Sequence, residues 1–423
     1  MRLFANLFLI LFLADGGFSL VDELVPLFTP LAPFTELRIL LAGTVIVMAV
    51  PLYIGLGIDR RLPKRAFLPL ISFVFFCPLS TWLFPALAGV RVYGLLMATV
   101  QVLLGMLPLY YFRTDDVRSL TMPPEMFSAH FFSIRNSLIF GAVNLFVVPL
   151  ALVMLVLSVA DAYMADYTSG FMHLTPGGFH MTERVYTQGN RTIRLAAMIH
   201  IGNREYYDDL TGSIAQGRTI VLAEGVSDSS NLLRNSIDYG KMAGFLGLTS
   251  QKEMRFRGNI IDEEELESPK AGYRDEKRSL ATDIIRADMD VSDFRPPTLL
   301  LLNAIGKNMQ ESHSFVKGVM ALNSWGEKNI TPEMSDIIMD DILHRRNMEV
   351  VRYLEKAIDR YDTVVIPWGA LHMKEIEAEV LKKGFKLQEE RKRVSIDFWK
   401  KFKLSTLPDG SMADHKNLSL VSS

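Results

Sequence analysis

Thr363-Val364-Val365-Ile366-Pro367-Trp368-Gly369-Ala370-Leu371-His372 reads as a strand that gives way to a helix. The apolar run Thr363–Ile366 has the length and β-branched character of a buried strand. Pro367-Trp368-Gly369 punctuates it, and Met373, Ile376 and Val380 then recur at helical spacing until Gly384 stops the helix. A second segment has the same form. Thr192–Ala197 runs into Met198-Ile199-His200, and Asn203 is placed to cap a helix reaching about Gln216, with Tyr206, Tyr207, Leu210 and Ile214 inward. His200 and His372 thus both sit where a strand hands over to a helix, as in a weak internal repeat. In open α/β sheets the carboxyl ends of strands line the ligand crevice.

The surrounding sequence extends this pattern. Arg184–Thr187 and Thr192–Ala197 flank Gln188-Gly189-Asn190, a β-hairpin signal. Thr219–Ala223 is a short apolar strand ending at Glu224-Gly225, and a helical stretch is expected from about Ser230 to Leu248. Gln251–Arg278 is charged and irregular, and its Asp262-Glu263-Glu264-Glu265 reads as a solvated acidic face. Thr331-Pro332, a cap followed by proline at the first helical position, opens a long helix expected to reach about Arg360. Phe385–Trp399 is strand-like. Strands alternating with helices predict an α/β or α+β domain around a central β-sheet over residues 161–403, with a polar tail at 404–423.

The chain before this domain belongs to a different solvent. The 423 residues carry 45 Lys+Arg against 47 Asp+Glu, a balance that offers no basic field for nucleic acid. Residues 1–160 hold only ten of the basic and eight of the acidic side chains. The mean hydropathy of +0.19 therefore averages a membrane region and a soluble one. This excludes a plain cytosolic enzyme, a wholly embedded transporter and a disordered chain. Ile39–Ile58, Ala66–Val90, Val92–Phe112 and Asn136–Ala160 are uncharged and long enough to span a bilayer, which takes about 20 apolar residues. Arg91 marks a tight hairpin between the middle two. Leu3–Ala14, running to about Val21, reads as an uncleaved first span rather than a signal-peptide core, so residues 1–160 hold four or five transmembrane helices. Loop charge sets the orientation. Arg60, Arg61, Lys64, Arg65, Arg113, Arg118 and Arg135 lie on one side, against Arg38 and Arg91 on the other. By the positive-inside rule the first group is cytoplasmic, and everything after about Asp161 is extracytoplasmic. The single cysteine, Cys77, permits neither a disulfide framework nor a cysteine zinc site.

The residues with chemistry to offer form an ordered set. Gly369-Ala370-Leu371-His372 is a GxxH motif, and Ala197-Met198-Ile199-His200 is its partner with Ala in place of Gly. Glu224 ends the strand after the first histidine, and Arg346-Asn347 lies on the helix before the second motif. Ile338, Ile342 and Arg346 recur at i, i+4 and i+8, so Arg346 shares the core-facing stripe, with Arg345 about 100° away. Each residue alone has a bland reading. A strand-end histidine packs or caps, Glu224 caps the next turn, and Arg346 forms a salt bridge. Together, two imidazoles and a carboxylate are a usual ligand set for zinc, manganese or cobalt with an open position for water. Without metal, a histidine or Glu224 would act as general base. Arg346 would bind a substrate carboxylate or a developing oxyanion. Asp288, Asp290 and Asp293 form a second acidic group. On a strand Asp288 and Asp290 would share one face and could bind a cation or hold basic residues in place, but the favoured reading is a satisfied turn around Val291-Ser292-Asp293.

The order His200, Glu224, Arg346-Asn347 and Gly369–His372 resembles the TraB/PrgY/GumN family, which is related to the TIKI proteases and more distantly to erythromycin esterases and ChaN-like haem-binding proteins. The resemblance covers roughly Arg194–Phe385. It does not extend to the membrane half, whose spans are read as an anchor; for the domain it implies a hydrolase of peptide or ester bonds, metal dependence as in the TIKI proteins, and His200, Glu224, Arg346 and His372 as its site, with His200, Glu224 and His372 as metal ligands. It also permits direct use of His and Glu, as in the esterases, or a non-catalytic module that sequesters a peptide signal, haem or a metal. The partners implied are a peptide or small ester and membrane lipid.

Overall fold

The computed structural model describes residues 1–29, 34–84, 87, 90, 92–114, 117–214, 217–235, 237–268 and 282–400. Arg91, the end of the expected helix at Gln216, all of 269–281 and the 404–423 tail lie outside them. The chain divides into two compact units, Met1–Ser158 and Val159–Ser423.

In the first unit the uncharged runs form helices because backbone groups out of water must bond within their own segment. Five stretches are long and apolar enough to cross a membrane: Arg2–Leu27, Thr35–Ile58, Lys64–Leu83, Tyr93–Tyr111 and Ile134–Tyr167. Their helical cores include α1 (Arg2–Leu24), α2 (Thr35–Ile58), α3 (Lys64–Phe76), α4 (Tyr93–Gly105) and α5 (Ile134–Tyr167). Phe8, Phe12, Leu52, Phe67 and Leu70 fill the interior of this unit.

The second unit is a mixed eight-stranded sheet with helices around it. Its strands are β1 (Met172–Thr175), β2 (Gly178–Gln188), β3 (Arg191–Met198), β4 (Thr219–Ala223), β5 (Asn259–Ile260), β6 (Asp283–Arg286), β7 (Thr363–Gly369) and β8 (Lys386–Asp397). The path runs β8-β2-β3-β7-β4-β6-β5, with β1 paired to β2. The hairpin expected around Gly189 is the antiparallel β2–β3 pair, closed at Gln188↔Arg191 with Gly189 at a φ of 62°. That left-handed conformation is where glycine replaces other residues without strain.

From β3 onward to β5 the sheet is parallel. β7 lies between β3 and β4, with Gly369 opposite Met198 and Val365 opposite Val221. β6 continues it, with Arg286 opposite Ala223. Four neighbouring strands therefore end on one edge of the sheet. Strands covered on both faces need apolar residues throughout, and Ile193, Leu195, Ile220, Leu222, Val364, Ile366 and Trp368 are all fully buried.

The helices depart from expectation in three places. Asn203 makes no side-chain cap, because its Oδ1 accepts the Asp397 N–H instead, and the helix after His200 ends at Gly212. Among its described residues, the stretch expected as helix from Ser230 is helical only over Tyr239–Leu246. Asp228 accepts the Leu232 and Leu233 N–H groups and holds that part as a loop. Thr331 does cap its helix through the Met334 N–H. However, between Pro332–Met339 and Arg346–Ala357 the residues Asp340–Arg345 wind as a π-helix. Such one-turn widenings are frequent at functional sites.

Candidate functional site

The carboxyl ends of β3, β7, β4 and β6 carry His200, His372, Glu224 and Asp288, each within three residues of its strand. Arg346 reaches the same edge from the first turn of the helix that follows the π segment. Of the four residues expected at the site, the structure joins Glu224, Arg346 and His372 directly and sets His200 beside them.

Arg346 is the hub. Its Nε donates to Asp288 Oδ1 at 2.9 Å and its Nη2 to Asp288 Oδ2 at 2.6 Å, a bidentate pair. Nη2 also donates to Glu224 Oε1 at 2.9 Å, and the guanidinium carbon lies 5.2 Å from the centre of the Trp368 ring. Arg345 turns elsewhere, to Asp341 and the Asp293 carbonyl. Arg346, rather than its neighbour, is the arginine that contacts Glu224 and Asp288. Asp288 was the member of the acidic group not legible as part of the site. It leaves Asp290 to form the expected turn, in which Asp290 accepts from Ser292 and Asp293 caps back onto the Asp290 N–H.

Glu224 is fully engaged. Oε1 takes Arg346, and Oε2 accepts the Gly369 N–H at 2.8 Å. Burial opposes its ionisation most strongly. Arg346, then the two histidines, then the Gly369 N–H outweigh burial and hold the carboxyl below its ordinary range. A Cβ at Gly369 would stand 3.7 Å from both carboxylate oxygens, an ordinary contact distance, so the approach does not itself require glycine. The alanine of the first motif causes no crowding either. Ala197 is buried in the core and its carbonyl accepts the Tyr206 hydroxyl at 2.7 Å.

His372 is a buried neutral imidazole. Its Nδ1 donates to Asn347 Oδ1 at 2.7 Å, and Asn347 is held in turn by Glu375. That fixes the tautomer and leaves Nε2 as acceptor for Arg346 Nη1 at 3.3 Å. Burial, with Arg346 beside it, pulls its pKa down to about 4.

His200 is exposed. Its Nδ1 lies 2.8 Å from Gln251 Oε1, and its ring packs at 4.9 Å on Tyr239. Antiparallel pairing of Ile201 with Ser250 brings Gln251 there. With Nδ1 as the donor, Nε2 is the proton acceptor, and no partner for it is found among the described residues. His200, Glu224 and Arg346 line one cavity of about 580 Å³. Its far wall is apolar, with Leu233, Ile237, Phe256, Phe294, Leu302 and Ile305. Gln251 and Tyr239 had no sequence signal, because only strand pairing brings them to His200.

The metal set fits this arrangement poorly. Among the described residues no three His, Cys, Asp or Glu side chains gather as ligands. The Nε2 of His372 faces a guanidinium, and both Glu224 oxygens already accept hydrogen bonds. A divalent cation on His372 would have to replace Arg346.

Comparisons of the chain with protein-family models, with curated proteins and with solved structures give no match.

Proposed function

We propose that the chain is a membrane-anchored hydrolase of ester or peptide bonds, with His200 as the general base. The observation that carries this is His200 itself: an imidazole with one nitrogen tied to Gln251 and the other facing a cavity floored by charge and walled by apolar side chains. A carbonyl lodged there is attacked by a water whose proton passes to His200 Nε2, and the imidazolium then protonates the leaving group. One guanidinium against the Glu224 and Asp288 carboxylates leaves the cluster net negative, and that charge stabilises the imidazolium as it forms. Arg346 is therefore a positioning residue in this reading rather than an anion trap. Its Nε and Nη2 hydrogens are committed to Asp288 and Glu224, and it holds His372 in place.

The order of motif residues, by which the chain resembles the TraB/PrgY/GumN group, supports hydrolysis. The seven-to-two distribution of Lys and Arg in the short loops supports an extracytoplasmic second unit. The engagement of Glu224 and Arg346 with each other favours one second reading, a binding module in which the cluster is only a rigid floor. The purified full-length protein, assayed against ester and peptide libraries, separates the two. Turnover lost in His200→Gln supports the hydrolase, whereas saturable binding without turnover supports the module.

A further inference from the structure

We propose that Asp15 and Gln101 form a proton-binding site inside the helical bundle of the first unit, with the proton carried on the Asp15 carboxyl. This site is separate from the cavity around His200 and does not depend on hydrolysis.

Asp15 lies on α1 about 20 Å from its start at 1.5 Å per residue. That depth is well inside a hydrocarbon core of about 30 Å. The residue is 6% exposed. Gln101 Nε2 on α4 donates to its Oδ2 at 2.7 Å and also contacts the Phe12 carbonyl at 3.3 Å. Its Oδ1 is buried with no hydrogen-bond partner among the described residues. The two helices meet closely at this level. A Cβ on Gly16 would come within 3.0 Å of Gln101 Cγ, and one on Gly105 within 2.8 Å of Leu13.

Among the described residues no cation pairs with Asp15. α4 carries no Lys, Arg, Asp or Glu, and its one titratable side chain is Tyr93. On α2, which also packs on α1, the ionisable groups are Glu36 and Arg38 in the first turns and Tyr53 further along. Arg38, whose charge reaches Asp15, is already held by Glu23 at 3.0 Å and Asp22 at 3.6 Å. Lys64 and Arg65 stand at the start of α3, and Arg2 at the start of α1. Protonating an aspartate of ordinary acidity at pH 7 opposes a factor of about a thousand. Against that stands the lost hydration of a carboxylate with a bare oxygen in an apolar interior, which favours the acid form. Ionisable groups placed this way inside a membrane bundle mark proton or ion sites.

The test is covalent labelling of the full-length protein in lipid vesicles at pH 7. Dicyclohexylcarbodiimide partitions into the bilayer. A protonated carboxyl adds across its C=N bond, the acid proton passes to nitrogen, and the product rearranges to a stable N-acylurea. Peptide mass spectrometry should find the adduct on Asp15 at least tenfold above Asp22 and Glu23. It should vanish in Asp15→Asn and persist in Gln101→Leu, which removes only the neutral donor. Unlabelled Asp15 in the wild-type protein would overturn the proposal. Protection of Asp15 by sodium or magnesium at constant pH would also overturn it, and would make the ligand a metal cation.

Discussion

Removing the Arg346 guanidinium should damage the fold of the second unit before it damages anything else. Arg346→Met keeps most of the side-chain volume and deletes the charge. It strands Asp288 and Glu224, whose side chains are 0% and 3% exposed, with no cation. Breaking a buried pair by removing one partner costs about 3–5 kcal/mol. For a unit of this size each kcal/mol moves the melting temperature by roughly 2–4 °C, so the expected fall is about 6–20 °C. The assay is thermal unfolding of the detergent-solubilised full chain, followed by near-UV circular dichroism with tryptophan fluorescence as a second probe. Adding Asp288→Asn to Arg346→Met removes one stranded charge. The double variant should then be more stable than the sum of the single effects by about 2 kcal/mol, within the range for contacting residues. Arg346→Met melting within 2 °C of the wild type, or strict additivity of the pair, would refute the claim that Arg346 neutralises two buried carboxylates.

Other consequences follow from the same geometry. His372 is neutral in the fold, with its pKa pulled down to about 4 against an ordinary 6.5, so the unfolded chain binds the extra proton between these values. Stability should therefore fall as pH drops from about 6.5 to 4, by about 3 kcal/mol, and His372→Asn should flatten that part of a melting-temperature profile. Glu224, whose carboxyl is held down chiefly by Arg346 against the opposing effect of burial, adds stability present above its unfolded pKa and lost further into acid, in the same direction. Exhaustive chelation should leave turnover unchanged; activity lost to chelator and restored by zinc would show that Arg346 swings aside to admit a metal. A reporter fused after Ser423 should be active outside the cytoplasm, and a cytoplasmic signal would reverse the orientation drawn from loop charge.

The strand ends of the site were legible in sequence because each is a local event. An apolar run, a glycine and a histidine lie within ten residues at Thr363–His372, and the hairpin at Gly189 is closer still. The partnership of Arg346 with Asp288 was not legible, since 58 residues separate them and the acidic group around Asp290 has a sufficient local explanation as a turn. The helical period pointed to Arg346, and it survives although Asp340–Arg345 is wound as a π-helix that no pattern of apolar residues announces. The helix Pro296–Glu311 drew no reading. Its buried face is built from small residues such as Ala304 and Gly306, while its larger Leu302 and Ile305 face the cavity, so size and burial do not alternate together. The five apolar helices were the easiest part, because a bilayer demands length and composition and little else.

The central claim is that His200 takes the proton of the attacking water, and it is tested most directly by comparing turnover per folded molecule in wild type and His200→Gln. Because His200 is exposed and outside the buried cluster, the variant should melt with the wild type. Its kcat/KM on the best ester or peptide should fall by about 10²–10⁴, the usual contribution of a positioned general base. Equal turnover in the two proteins, at equal folded fraction, would contradict the account.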